Sequence, residues 1–191
     1  MAILGSHNSM TYLPSKLWIM RLFSLIWRCQ KHDLKRQYLE GVRCFDLRVR
    51  HVNNKWVFAH GIITLKDVEL IDVLNYLNTK AATHNEIIYI RLILETRKPD
   101  IHQEHDFKVL CEELHDKYYG TLKFFEARRK FDWIQLYDFD GFNPYTVQYV
   151  GSIKSLYGKV CPWLYWKLNN HKDRQEFNGF SDDTIVLYDF I

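Results

Sequence analysis

Two segments alternate between faces with a period of two, and they anchor the reading of the chain. Across residues 42 to 49, Val42, Cys44, Asp46 and Arg48 fall on one side and Arg43, Phe45, Leu47 and Val49 on the other, as in a β-strand. From Glu86 to Glu95, Ile88, Ile90, Leu92 and Leu94 share one face, opposite Ile87, Tyr89, Arg91, Ile93 and Glu95. The all-aliphatic face belongs against helices, so Arg91 and Glu95 point inward, with Glu95 at the carboxyl end of its strand. Helical spacing takes over between and after these strands. Leu70, Val73, Leu74, Leu77 and Ala81 predict an amphipathic helix over 65–81, and Phe107, Leu110, Cys111, Leu114 and Tyr118 predict another over 103–119. A short helix over Asp33 to Glu40 ends at Gly41, a residue suited to the position just past a helix.

Strand, helix, strand, helix is the alternation of a parallel α/β fold. Shorter strand ends flank it. Gly5 to Ser9 closes a first strand, Trp56 to Ala59 leads to His60, and the polar run from His51 to Lys55 joins two strands with His51 in a surface loop. Ile185 to Phe190 reads as the last strand, with Ile185, Leu187 and Asp189 on its inner face. Beyond residue 120 the pattern weakens: 132–138, 146–150 and 159–166 read as strands, separated by turn residues such as Gly141, Pro144 and Pro162. Between Met10 and Cys29 lies a mostly apolar stretch, expected to be a helix starting after Pro14. Leu17, Arg21, Ser24 and Arg28 form a narrow basic stripe on it, opposite a broad apolar surface. It has two readings, a helix packed on the core and an interfacial helix that enters a headgroup layer through Trp18, Leu22 and Trp27; it is too short and too charged to span a bilayer.

Composition changes little in this picture. At 191 residues and 47% hydrophobic, the chain is long enough for one sizeable core, and a single domain over 1–191 is expected. Its 26 basic and 23 acidic residues leave a net charge of +3, too small to argue for nucleic acid. Cys29, Cys44, Cys111 and Cys161 show no C-x-x-C spacing, so reduced thiols are expected rather than a zinc ribbon or a disulfide framework. No basic region precedes an apolar run at the N-terminus, which favours a cytoplasmic or peripheral membrane location. A monomer is expected.

The polar residues that the pattern places at strand ends carry chemistry. His7 and His60 offer one imidazole to take a proton from an attacking hydroxyl and another to give one to a leaving oxygen, histidine being the side chain whose intrinsic pKa lies near neutrality. Asp46 and Arg48 are neighbours on one strand face, and Arg48 brings fixed positive charge to where negative charge builds on phosphorus.

At these residues the sequence resembles the X domain of phosphatidylinositol-specific phospholipase C. Gly5-Ser6-His7-Asn8-Ser9 is similar to that family's first-strand signature, Gly41 to Arg48 to its second-strand segment, His60-Gly61 to its second catalytic histidine, and Ile185 to Phe190 to its closing strand. The resemblance implies an irregular, compact TIM-barrel-like α/β fold, pared down in its second half because eight full units take about 250 residues. It implies cleavage of phosphatidylinositol or a related phospholipid: His7 deprotonates the inositol 2-hydroxyl, Arg48 stabilises the phosphorane, Asp46 positions Arg48 or His60, and His60 protonates the departing diacylglycerol. In a closed barrel Asp189 lies beside the first strand, where it can accept a hydrogen bond from one ring nitrogen of His7. Asn8, Glu95 and Arg91 are the expected substrate-binding residues.

Calcium-dependent members of the family carry an acidic residue two positions after the second-strand carboxylate, where this chain has Arg48. A cation and a guanidinium in one small site repel strongly, and Ca²⁺ wants several oxygen ligands, so no cofactor is expected. Metal-independent bacterial members usually carry Asp where this chain has Asn8. The rival readings are a metal-dependent glycerophosphodiester or sphingolipid phosphodiesterase using Ca²⁺ or Mg²⁺, and a non-catalytic phospholipid-binding barrel.

Overall fold

The computed structural model describes residues 2–127, 137–138, 146–150, 161–176, 180–182 and 184–191. The chain begins with β1 (Ile3–Ser6), two short helices α1 (Trp18–Leu22) and α2 (Ser24–Trp27), a third helix α3 (Leu34–Leu39), and the long strand β2 (Cys44–Val52). Next come β3 (Lys55–His60), β4 (Ile63–Thr64), α4 (Leu70–His84), β5 (Ile88–Leu94), α5 (Ile101–Lys117) and β6 (Leu122–Ala127). The second half contributes β7 (Tyr137–Asp138), β8 (Thr146–Val150), α6 (Pro162–Glu176) and β9 (Thr184–Tyr188).

The strands run in the order β7-β6-β5-β2-β1-β9-β8, parallel throughout except between β6 and β7. In a flat sheet β5 and β8 would be four spacings apart, about 19 Å. Instead the Arg91 guanidinium of β5 lies 5.7 Å from the Tyr149 ring of β8, so the sheet curls until its far strands face each other. This is an α/β, TIM-barrel-like arrangement; among the described residues β7 and β8 end the order unpaired, which makes the closure irregular.

The period of two sorts the faces as the sequence predicts. Phe45, Leu47 and Val49 of β2 and Ile88, Ile90, Leu92 and Leu94 of β5 pack in the main core with Val73, Leu74 and Leu77 of α4 and Phe107, Leu110 and Leu114 of α5. Cys44, Phe125, Ile185 and Leu187 form a smaller cluster on the inner face. Gly5 lets β1 pack into this inner layer, since a Cβ there would overlap the Leu187 side chain and lie 3.2 Å from Cys44 Cβ. Gly41, at φ +94°, turns the chain out of α3.

Several boundaries differ from the sequence reading, each for a local reason. Residues 65–69 stay extended because Leu65 bridges to Ser15, so α4 starts only at Leu70; it ends at Asn85 in a left-handed cap. Asp100 and Gln103 form a capping box that starts α5 at Ile101. His51 is a strand residue of the β2–β3 hairpin, stacked on Trp56, and the turn belongs to Asn53 and Asn54 at φ 50° and 57°. Residues 159 and 160 of the strand expected over 159–166 lie outside the described residues, and 162–166 instead begin α6, with Pro162 at its first position, where a missing N–H costs nothing. Of 132–138 only Tyr137–Asp138 lies among the described residues; 146–150 is a strand.

The apolar stretch after Pro14 is not one helix. Phe23, at φ −99° and ψ 23°, breaks it into α1 and α2. Trp18 and Leu22 are each 71% exposed, and Leu17, Phe23 and Leu25 are exposed as well, so the core-packed reading does not hold for this surface. Trp27 corrects the interfacial reading: it is only 6% exposed and its indole N–H donates to the Met20 carbonyl. No helix among the described residues is long and apolar enough to cross a membrane.

Candidate active site

The site is assembled where β1, β2, β3, β5 and β9 end. β1 is hydrogen-bonded to β9 up to His7, whose N–H donates to the Tyr188 carbonyl, and Asp189 follows directly. Asn8 then adopts φ 50°, a left-handed conformation that Asn tolerates better than most residues. Asp46 pins this turn from β2: its Oδ2 accepts from the Asn8 N–H at 2.9 Å, and its carbonyl accepts from the Ser9 N–H at 3.0 Å. Gln30 braces the back of it, its side-chain amide donating to the carbonyls of both His7 and Tyr188.

His7 is held at both ring nitrogens. Nδ1 lies 2.7 Å from Asp189 Oδ1, and Nε2 lies 3.0 Å from an Arg48 terminal nitrogen and 3.1 Å from Asn8 Nδ2. A guanidinium can only donate, so Nε2 accepts, and the neutral ring carries its proton on Nδ1 toward Asp189. That arrangement leaves a lone pair on the nitrogen facing Arg48. Asn8 Nδ2 also lies 3.3 Å from His60 Nε2, so one carboxamide spans the two histidines, while its Oδ1 is buried without a hydrogen-bond partner.

The charges beneath are buried and satisfy one another. Asp46 accepts from Arg48 at 3.0 and 3.2 Å and from Arg91 at 2.8 Å. Burial alone would raise the Asp46 pKa, but Arg48, Arg91, His7 and the Asn8 amide outweigh it and hold the carboxyl well below its ordinary range. Burial likewise opposes the charge on Arg48, and above all Asp46, with Glu95, overcomes it, so Arg48 is a permanent cation. Glu95 bridges outward: one oxygen lies 3.3 Å from Arg48, and the other accepts from the Gly61 N–H at 2.7 Å, beside His60.

All eight sequence-predicted residues converge here, in different positions. His7, His60, Arg48, Asn8 and Asp189 cluster directly around one another. Arg91 is 0% exposed and reaches the site through Asp46. Two neighbours escaped the sequence reading. Tyr149 of β8 meets His7 edge-on, centroids 5.0 Å apart at 89°, and burial pushes its phenol pKa up to about 12, so it stays neutral. Cys29 places Sγ 3.4 Å from Asn8 Nδ2. Neither belongs to a strand-end motif, and only the tertiary fold brings them in.

A hard cation does not fit beside Asp46. Its two oxygens already accept from Arg48, Arg91 and the Asn8 N–H, and the guanidinium fills the direction in which further oxygen ligands would be needed.

Comparison with known proteins bears on this geometry. The sequence model of the X domain of phosphatidylinositol-specific phospholipase C matches residues 5–135. The structure is similar to the phosphatidylinositol-specific phospholipase C from Listeria monocytogenes, with 18% identity and a TM-score of 0.70 over 100% of this chain and 88% of that one. It is also similar to the F249X mutant of the Staphylococcus aureus enzyme, at 14% identity and a TM-score of 0.66 over 98% and 85% of the two chains. A further Staphylococcus aureus structure, concerned with modulation of membrane binding, aligns at 16% identity and a TM-score of 0.52 over 96% of this chain and 70% of that one. Curated protein sequences give no significant match.

Proposed function

The chain belongs to the phosphatidylinositol-specific phospholipase C X-domain family, and from that premise we propose that it cleaves phosphatidylinositol, or a closely related phospholipid, by acid–base catalysis without a metal. The observation that carries this reading is His7, oriented by Asp189 on one nitrogen and presenting the other beside Arg48, with His60 across Asn8.

In the reaction, the inositol 2-hydroxyl loses its proton to His7 Nε2 as its oxygen bonds to phosphorus. The bond from phosphorus to the diacylglycerol oxygen breaks, and protonated His60 gives that oxygen its proton. A cyclic inositol phosphate and diacylglycerol are the first products. Arg48 turns its donors from His7 to the equatorial phosphate oxygens, where charge accumulates. Asp46 and Glu95 keep that guanidinium in place, and Arg91 fixes Asp46 from below. Asp189 holds the tautomer in which Nε2 is free and stabilises the imidazolium that forms. The unpartnered Asn8 Oδ1 is available to an inositol hydroxyl.

Because the substrate stays in a bilayer, the enzyme must dock on one. The exposed apolar surface of Leu17, Trp18, Leu22, Phe23 and Leu25 suits that contact. Trp27 instead ties α2 to α1 from inside.

The test follows phosphorus-31 resonances during incubation with phosphatidylinositol vesicles in excess chelator. A cyclic phosphate should appear first, and Arg48→Lys should slow its appearance by orders of magnitude, because an ammonium cannot reproduce the planar two-pronged contact. Activity that vanished in chelator and returned with Ca²⁺ or Mg²⁺ would sink this reading.

A further inference from the structure

A further ligand atom lies beside His7 and Asp189. A ring nitrogen of His7, Cys29 Sγ and an Asp189 carboxylate oxygen all lie within 4.8 Å of one another, and all three residues are buried. Nitrogen, sulfur and oxygen donors on a tetrahedral zinc ion are about 3.3–3.6 Å apart, given metal–ligand bonds of about 2.0–2.3 Å. The 2.7 Å pair of His7 and Asp189 therefore needs to open by only about 0.6 Å to admit such an ion.

The three donors are carried on one hydrogen-bonded frame. The Cys29 carbonyl accepts from the Phe190 N–H at 2.7 Å, and the Cys29 N–H donates to Thr11 Oγ1 at 3.0 Å. The next residue, Gln30, donates to the carbonyls of His7 and Tyr188 and accepts from the Ile191 N–H. The segments bearing His7, Cys29 and Asp189 are thus fixed to one another through their backbones. Asn8 Nδ2 points a donor at the sulfur, the kind of contact that supports a metal-bound thiolate. Around the cluster, Asp46 and Glu95 offset Arg48 and Arg91, leaving the charge of Asp189 and a thiolate for the cation.

We propose that His7, Cys29 and Asp189 form an inhibitory site for a thiophilic divalent cation of the zinc and cadmium class. The inhibitory part rests on the catalytic reading of His7 given above. On binding, the cation takes Nδ1 and one Asp189 oxygen, and the Cys29 thiol releases its proton to solvent. The proton on Nδ1 moves to Nε2, from which the Arg48 and Asn8 donors turn away, and Nε2 is the nitrogen that the reaction needs as an acceptor. Without a cation the thiol keeps its proton, since burial and then the Asp189 charge raise its pKa well above the ordinary value. This site is distinct from a calcium site at Asp46: it uses Asp189 in place of Asp46 and depends on sulfur.

The test uses Co²⁺ as a spectroscopic stand-in on the full chain, in a Cys161→Ser background that removes the partly exposed thiol. One equivalent of Co²⁺ should produce a thiolate-to-cobalt charge-transfer band that Zn²⁺ displaces and that Ca²⁺ and Mg²⁺ do not. Cys29→Ser, or Cys29→Ala should serine disturb the packing, should abolish the band. Either change should leave metal-free hydrolysis unchanged and raise the Zn²⁺ concentration for half-inhibition by about 10- to 100-fold. No band in folded protein, or a band that survives the loss of Cys29, overturns the site. A protein that shows the band but cleaves no phosphodiester keeps the cation site and overturns its inhibitory role; one that cleaves lipid without a band overturns the site and keeps the proposed activity.

Discussion

Within the first fifty residues the chain treats two regions in opposite ways. Around β2 it buries charge: Asp46 and Arg48 are enclosed at the end of the barrel. Earlier in the chain, in α1 and α2, it exposes large apolar side chains. Neither follows from stability alone, because buried ion pairs contribute little net stability and exposed Trp and Leu contribute almost none. The difference lies in their partners. Each buried charge meets an opposite one, whereas Trp18 and Leu22 lie open to solvent. The first region is a completed electrostatic device, and the second is the surface for which we propose a lipid layer as partner.

The comparison breaks most severely at Asp46. Asp46→Ala leaves Arg48 and Arg91 as buried guanidiniums without their shared carboxylate, and a loss of about 3–5 kcal/mol is expected, read as a lower denaturant midpoint. A stability change below about 1 kcal/mol would mean that the pair is solvated. Next come His7→Ala and His60→Ala, each expected to lower turnover by about two or more orders of magnitude with unchanged circular dichroism. A folded variant that kept its turnover would remove that histidine from the mechanism.

The exposed region sharpens the contrast. Replacing Trp18 and Leu22 by Ser should weaken vesicle binding by about a hundredfold or more, at about 1.5–3 kcal/mol per inserted side chain, while melting and hydrolysis of a soluble inositol phosphodiester stay level. Equal loss on both substrates would return these residues to the core. The smallest effect is expected from mild acid. Asp46 has its pKa depressed by folding, so its stabilisation is complete above the unfolded value of about 3.9 and disappears only as pH falls through the lower folded value. Between pH 7 and 5 the Asp46 contribution to melting should be flat, measured as the wild-type minus Asp46→Asn difference.

Much of this was legible in the sequence because β-strand periodicity is local. Asp46 and Arg48, two apart, must share a face, and the aliphatic side of β5 fixes where Arg91 and Glu95 point. The closing motif at Asp189 was readable once β9 was set beside β1. Other features depend on contacts that no window contains. Trp163 to Trp166 are apolar and aromatic, as a strand would be, and the helix there follows from Pro162 and from packing against α2. Trp27 resembles Trp18 in sequence yet is buried because Phe23 breaks the helix and turns it inward. Cys29 and Tyr149 reach His7 only through the curl of the sheet.

The placement of β1 between β2 and β9 sets the order in which this protein becomes an enzyme. His7 and Asp189 are 182 residues apart in sequence, and their contact needs β9 to close against an edge of β1 that the earlier elements leave open. The β2–β3 hairpin and the packing of α4 and α5 on β5 involve shorter loops, whose closure loses less entropy. During refolding, helix content and the main core should therefore precede the docking of β9. Only that last step gives His7 its carboxylate, so catalytic competence arrives after most of the structure has formed.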